Sequence, residues 1–385
     1  GNGELIVERY LPQVRHLEVQ VAGDGQGHAI HLFERECTLQ RRHQKVIEEA
    51  PSAGLSPRLR AAILADAVKL AAGVNYRGLG TVEFVVTGDE HYFLEVNPRL
   101  QVEHPVTEEV TGLDLVELQL HIAATGALPL AQADVRCSGH AFEARLCAED
   151  ADAGFLPATG QLQVVDFSRS GVRIESGVDS GDDISPHYDS MIAKLIAHGT
   201  DREAARRALG AGLRASTVIG LVTNLEFLHE LLEWPETRDA TFHTRLIDER
   251  HAQRGGVLAP AAPPLEHLAA AALHWLAQQR AESPALGCWT LWDGFTGWRL
   301  SSGPIQAAPQ PALVLKMGAA EWPVRFSMRD ADGVCALVIG EQAVNAALQP
   351  LAGGRCLLQC GGRALELTIR GDAQHIELSS ALGSS

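Results

Sequence analysis

Glu83, Glu95 and Asn97 are the first side chains of this sequence whose types and spacing point to chemistry. Two of them open the stretch LEVNPRLQVEHPVTE (residues 94–108), where Glu95, Asn97, Arg99, Gln101 and Glu103 recur at every second position and His104 follows. Glu95 and Asn97 stand two apart on a predicted strand and therefore share a face. Glu83 falls on the partner strand of the same hairpin, and a three-residue loop at 88–90 sets it directly opposite Glu95. Two carboxylates and an amide oxygen on one sheet face repel one another unless a cation sits between them. Hard oxygen donors of this kind suit Mg²⁺ or Mn²⁺ bridging protein to substrate phosphate. An exposed strand face with polar alternation reads the same over those three positions. The polar register, however, continues past the strand through Arg99, Gln101 and Glu103. With Lys45 and Arg145 as neighbours from elsewhere in the chain, two or three cations would hold a small oxyanion by charge-assisted hydrogen bonds. Glu103 beside that anion is a candidate general base.

The elements that must position these residues are alternating strands and helices. Runs at 17–22 and 28–33 flank GDGQG (residues 23–27), a hairpin loop. The basic run QRRHQK (residues 40–45) follows; such runs are usually a solvated face. Ser56 and Pro57 open a helix as N-cap and first-turn proline, with Leu59, Ile63, Val68 and Leu70 at roughly helical spacing up to Ala72. Residues 81–86 and 91–96 form the second hairpin. Helices are predicted over 111–125, 202–215 and 225–232. A composition shift at GGVLAPAAPPLEH (residues 255–267) marks a linker. Beyond it, Leu265, Leu268, Ala272, Trp275 and Leu276 lie on one helical stripe. Short strand-like runs then follow at 289–292, 313–317, 323–326, 335–339, 356–359, 365–369 and 376–378. That pattern is a small antiparallel barrel or curled sheet beside a helix.

The 385 residues call for two or three domains. A net charge of -16 argues against nucleic acid as the main partner. No apolar run is long enough for a membrane span and no signal-peptide pattern is present. The seven cysteines show no CxxC pair and read as reduced, mostly buried thiols.

NPRLQVEHPVTE together with ERECTLQRRHQKVIEEAP resembles the biotin carboxylase family of ATP-grasp enzymes. YRGLGTVEF, GHAFEARLCAED, FLPATG and YDSMIAKLIAHG match in the same order, so the resemblance runs from residue 1 to about residue 250. It implies carboxylation of a carrier-borne biotin by ATP and bicarbonate through carboxyphosphate. Residue by residue, Glu8, Arg9, Tyr10 and Leu11 match the segment that reads adenine, with Arg9 where the family usually has Lys. His16, Gln40 and His43 match nucleotide contacts, and Glu83, Glu95 and Asn97 match metal ligands. Lys45, Arg99, Gln101, Val102 and Glu103 match the bicarbonate pocket, Glu103 as its base. Arg145 matches the residue that holds the ureido oxygen of biotin and stabilises its enolate-like form. The family's N-terminal domain and Gly-rich phosphate loop are expected upstream of residue 1, and the polypeptide alone is expected not to turn over ATP.

The C-terminal third resembles the middle region of acyl-CoA carboxylase α subunits, where a helix and a barrel connect biotin carboxylase to the carboxyltransferase. CWTLWDGFTGWRL (residues 288–300) is most similar to the 3-methylcrotonyl-CoA type, with propionyl-, acetyl- and geranyl-CoA types as alternatives. VLKM (residues 314–317) lacks the Met before Lys316 that a biotinylation motif needs and reads as a barrel strand away from a hairpin tip. The expected architecture is α+β. A C-terminal ATP-grasp portion (1–138) leads into a biotin carboxylase C-terminal domain (139–250), a linker (251–264) and a helix-plus-barrel docking domain (265–385). The resemblance implies as partners a carboxyltransferase β subunit, a biotin carboxyl carrier domain outside this chain, and bicarbonate. It also implies an oligomer, in a bacterial cytoplasm or a mitochondrial matrix. A non-catalytic assembly module and a different ATP-grasp ligase are the competing readings, the second disfavoured by QVEHPVTE.

Overall fold

A computed structural model describes residues 3–5, 7, 9–253, 262–282, 313–329, 334–351, 354–372, 374–380 and 382–384. Strands β1 (Arg15–Asp24), β2 (Ala29–Arg41) and β3 (Gln44–Ala50) precede α1 (Pro57–Gly73), β4 (Arg77–Thr87) and β5 (Glu90–Asn97). Helices α2 (His104–Thr111) and α3 (Leu115–Thr125) lead to β6 (His140–Cys147). Six short strands follow: β7 (Glu149–Asp150), β8 (Leu156–Pro157), β9 (Gly160–Gln161), β10 (Val164–Asp166), β11 (Arg173–Ser176) and β12 (Asp183–Ile184). Next come β13 (Met191–Gly199), α4 (Arg202–Ala215), β14 (Thr217–Ile219), α5 (Leu225–Glu233), α6 (Pro235–Arg238) and α7 (Leu246–Gln253). One eight-stranded sheet in the order β11-β13-β6-β3-β2-β1-β4-β5 carries the candidate residues. The sheet takes strands from both sides of the boundary expected at 138–139, because β6 pairs with β3.

α1 packs on β1 and β4 through Leu59, Ile63, Leu64, Ala67 and Ala71. Ser56 caps it, its hydroxyl accepting from the Leu59 amide at 3.2 Å. The buried stripe thus differs from the one expected: Val68 is half-buried and Leu70 is exposed, because the helix is rotated to bring its alanines onto the sheet. The helix expected over 111–125 is α3, which starts at Leu115, and Thr111 instead ends the separate helix α2. Gly112, at φ +70°, ends α2 in the left-handed conformation, and the Asp114 side chain caps α3 from the Glu117 amide.

The second hairpin reaches its expected pairing by another route. Its turn holds two residues, Gly88 and Asp89, with Thr87 opposite Glu90, so straight pairing would set Glu83 opposite Leu94, one position short of Glu95. A bulge at Leu94, between the pairs Phe84–Phe93 and Glu83–Glu95, supplies the missing residue and restores the register.

Beyond α8 (Leu265–Glu282), strands β15 (Leu313–Met317), β16 (Ala320–Arg329), β17 (Cys335–Ile339), β18 (Gln342–Pro350), β19 (Arg355–Cys360), β20 (Arg363–Gly371), β21 (Ile376–Ser380) and β22 (Gly383–Ser384) form an antiparallel meander. Each strand bonds to the next, and the curled face buries Leu337, Ile339, Leu358, Leu367 and Ile369 against Leu268, Leu273 and the alanines of α8. Strand β18 is absent from the sequence reading, since its alanine-rich pattern shows little alternation. The expected strand at 289–292, and most of the expected linker, lie outside the described residues. Lys316 lies in a strand as expected. It stands only one residue pair from the Gly318–Ala319 turn, nearer a hairpin tip than expected, and its ammonium meets Glu321 at 2.6 Å. The meander touches the first unit where β14 packs on β21, and the Gly220 amide donates to Glu377 at 2.8 Å.

Candidate active site

Antiparallel register alone assembles the first part of the site. Across β2, β1, β4 and β5, Arg35, Glu18, Glu83 and Glu95 stand in one row, each opposite the next. Arg35 is fully buried and donates to Glu18 at 2.5 Å, Gln20 at 2.8 Å, Thr107 at 3.0 Å, Gln101 at 3.0 Å and Thr81 at 3.2 Å. All its hydrogen-bonding directions are thereby used.

Lys45 projects into the same space and meets three carboxylates: Glu18 at 2.5 Å, Glu103 at 2.5 Å and Glu83 at 3.1 Å. Burial pushes the Glu18 carboxyl up, but Arg35 and Lys45 outweigh it and hold its pKa at about 2. Glu83 is also held at about 2, burial being overcome by the hydrogen bond from His16 and the charge of Lys45.

The segment between β5 and α2 carries the rest. Glu103 occupies the N-cap position of α2, yet its side chain caps nothing. Its carboxylate instead takes Lys45 on one oxygen and Arg145 on the other, the latter at 2.9 Å. Arg145, on β6, also donates through Nε to Glu48 on β3 at 2.6 Å. The backbone leading into Glu103 is pinned from behind: His104 Nδ1 donates to the Gln101 carbonyl at 2.7 Å and Lys194 Nζ to the Val102 carbonyl at 2.6 Å.

Glu83, Glu95 and Asn97 do converge. The Asn97 amide nitrogen lies 3.0 Å from Glu83 and 3.1 Å from Glu95, bridging the two carboxylates. Turned about its last torsion, the same amide would present its oxygen to the gap. The set is then three hard oxygen donors with a net double negative charge, which fits Mg²⁺ or Mn²⁺. His16 supports Glu83 from the other side, its Nε2 at 2.7 Å.

These residues line one cleft of 1180 Å³. Tyr10, Leu11, His16, Gln40, His43, Lys45, Glu83, Glu95, Asn97, Arg99, Gln101, Val102, Glu103 and Arg145 all reach its wall. Arg99 is exposed and donates to the Leu100 carbonyl at 3.2 Å, apart from the Lys45–Glu103–Arg145 cluster. The Arg9 side chain goes elsewhere: it donates to the Tyr92 hydroxyl at 3.2 Å and lies over that ring, which does not line the cleft. Glu8 is outside the described residues. His43 sits at the tip of the β2–β3 turn, where it and Arg42 have φ of +68° and +47°. Sequence reasoning missed Glu18, Arg35, Glu48, Glu143 and Lys194, buried ionisable groups brought together from separate strands.

Known proteins fit this geometry. Residues 1–131 match the domain family described as carbamoyl-phosphate synthase L chain, ATP binding domain. Residues 143–249 match the biotin carboxylase C-terminal domain, and 264–385 the BT domain of the methylcrotonyl-CoA carboxylase alpha-subunit. The alpha subunit of mitochondrial methylcrotonoyl-CoA carboxylase from Rattus norvegicus is 47% identical over 250 residues, covering 64% of this chain and 35% of the relative. Human mitochondrial pyruvate carboxylase is 45% identical over 255 residues, 65% of this chain and 22% of that protein. The chain thus spans about a third of the length of the rat relative. The biotin carboxylase domain of Hydrogenobacter thermophilus 2-oxoglutarate carboxylase, solved with MgADP, ADP and bicarbonate, superposes with a TM-score of 0.61. It is 39% identical, over 64% of this chain and 54% of that one. Kluyveromyces lactis urea carboxylase superposes at 0.60 with 44% identity, over 62% and 21% of the two chains. Among the described residues no helix is long and apolar enough to cross a membrane.

Proposed function

The chain belongs to the biotin carboxylase family, and from that premise we propose that its cleft serves ATP-dependent carboxylation of carrier-borne biotin by bicarbonate. The observation that carries the reading is Glu103, a buried carboxylate held between two cations, Lys45 and Arg145, that reach it from different strands. Lys45 and Arg145 would bind and orient the bicarbonate anion, and Glu103 would accept its proton as the oxygen becomes nucleophilic. Attack on the terminal phosphorus of ATP breaks the bond to the β-phosphate oxygen, ADP leaves, and carboxyphosphate is the product. Its C–O(P) bond then breaks, inorganic phosphate leaves and takes the ureido N–H proton, and the CO₂ bonds to that nitrogen of biotin, while Arg145 donates to the ureido oxygen as negative charge collects there. Glu83, Glu95 and Asn97 would hold a divalent cation, which neutralises phosphate charge when bound.

The match of residues 264–385 to the methylcrotonyl-CoA carboxylase BT domain supports an acyl-CoA carboxylase of that type, working with a carboxyltransferase subunit and a carrier domain. The first 250 residues do not discriminate, because pyruvate carboxylase is nearly as similar there. Carboxylation of free biotin by the carboxylase that carries this sequence tests the reading. Glu103→Gln should lower kcat by about a hundredfold or more, the usual share of a positioned base. An unchanged rate would remove Glu103 from that role.

A further inference from the structure

Beneath α2 the sheet holds two carboxyls for which the reaction above has no use. Glu48 on β3 and Glu143 on β6 are fully buried and stand directly opposite each other. Directly opposed side chains have Cβ atoms ~5 Å apart, so these carboxyls meet. Val106 and Val110 of α2, with Ala141 and Ile196, close the space around them. Three of their four oxygens, Glu48 Oε2 and both of Glu143, have no hydrogen-bond partner.

Among the described residues, three charged groups face the pair. From β6 comes Arg145, whose Nε is bound to Glu48 Oε1. From β13 comes Lys194, 3.8 Å from Glu143 and already engaged by the Val102 carbonyl and by Glu175 at 2.7 Å. From the N-cap of α2 comes Glu103, which is held by Lys45 and Arg145. Among the described residues Glu143 thus has Lys194 at ion-pair distance but no cation that hydrogen-bonds it. Burial drives its carboxyl well above the usual range, and Glu48 beside it pushes the same way. Two opposed carboxylates in a dry site cannot both ionise, and one proton between them gives the orphaned oxygens a donor.

We propose that Glu48 is the positioning residue of Arg145 and that Glu143 keeps a proton and donates it to Glu48 as a hydrogen bond, so that one negative charge anchors the guanidinium from behind. The inference rests on the reading of Arg145 as the group that faces biotin. Anchored at Nε, Arg145 stays aimed into the cleft when Glu103 takes up its proton and loosens its hold on Nη2. Ionisation of Glu143 would double the charge behind Arg145 and draw it back, which places an alkaline limit on the biotin step.

The test uses the full carboxylase with free biotin as acceptor. Glu48→Ala should lower kcat for biotin carboxylation on the order of tenfold to a hundredfold, the effect of misplacing a catalytic group by about 1 Å, with KM for ATP changed less than about twofold. Glu48→Gln keeps the volume and an acceptor for Nε, covers the case in which the alanine variant does not fold, and should lose less. Glu143→Gln, a permanent donor, should move the alkaline limb of the biotin-carboxylation profile to higher pH. Unchanged kcat in both Glu48 variants, or a Glu143→Gln profile that superimposes on the parent, overturns the inference. Arg145→Ala is run alongside. If it retains biotin carboxylation, the reading of the site fails; if it loses it while the Glu48 variants do not, only this inference fails.

Discussion

Lys45 Nζ stands 2.5 Å from Glu103 Oε1, and the same ammonium closes on Glu18 and Glu83. Its side chain is 12% exposed and those of Glu18 and Glu103 are 0% and 2% exposed. One cation therefore bridges three buried carboxylates on two strands and a helix cap. The cluster is organised around repulsion that Lys45 suppresses. Removing one member of a buried pair costs about 3–5 kcal/mol, because the remaining charge is left without a partner. Lys45→Met should accordingly lower stability in urea titration by about that amount, with part of it recovered in Lys45→Met/Glu18→Gln. If the double variant is no more stable than the single one, carboxylate repulsion is not what Lys45 offsets.

Arg35 makes a sharper case. Its five partners lie on three elements and a loop, and only a planar guanidinium reaches them together. Arg35→Lys should fail to rescue the loss seen in Arg35→Met, each destabilised by about 3 kcal/mol or more in urea titration. Native-like stability of Arg35→Lys would show that the Glu18 contact alone matters.

What could be read from the sequence divides along this line. Glu95 and Asn97 were legible because a strand's period of two is local, and Glu83 because a hairpin fixes the partner. Even so, the right pairing came from a loop one residue too long, which the Leu94 bulge happens to offset. Arg35 and Glu18 were not legible. Each sits in a run that reads as an ordinary polar strand, and their contact depends on which strands become neighbours. Helix α2 left a signal that was overlooked, Pro105 in its first turn and Gly112 just past its end. At Arg9 a motif match gives no side-chain direction, and Tyr92 takes the guanidinium.

The acid groups of the site respond to pH in opposite senses. Glu18 and Glu83 have folded pKa values of about 2, below the ordinary 4.5, so their contribution is present above pH 4.5 and lost as pH falls toward 2. Glu48 is raised to about 6 by burial, against the pull of Arg145, so its linkage runs the other way. The native state binds the extra proton between pH 4.5 and 6, and stability from this group is full below 4.5 and lost as pH rises through 6. The difference is on the order of 2 kcal/mol. Relative to the parent, Glu48→Gln should gain stability in urea titrations between pH 4 and pH 7 by about that amount. A stability difference that does not change across this window would mean that Glu48 is ionised throughout it.

Glu95 is exposed, and its hydrogen bond comes from the Asn97 amide. Glu95→Gln should therefore leave thermal stability nearly unchanged while raising the Mg²⁺ or Mn²⁺ concentration for half-maximal ATP cleavage by about tenfold or more. A metal titration of the full carboxylase reads this directly. Half-saturation at the parental concentration would separate Glu95 from the metal.

The β2–β3 turn offers the last test, because it is built from residues that suit it badly. Arg42 and His43 both occupy the left-handed region at the two central positions, with Arg41 paired to Gln44. Asn-Gly is the preferred pair for such a turn, and each non-glycine residue held there costs on the order of 1 kcal/mol. His43 lines the cleft, so the strain coincides with a ring placed where the nucleotide is proposed to bind. Arg42→Asn/His43→Gly should then raise Tm by about 2 °C or more while weakening ATP binding, seen as a higher KM for ATP. A stabilised variant with unchanged KM would show that the turn does not serve the nucleotide. A destabilised one would show that side-chain contacts of Arg42 and His43 outweigh the backbone strain.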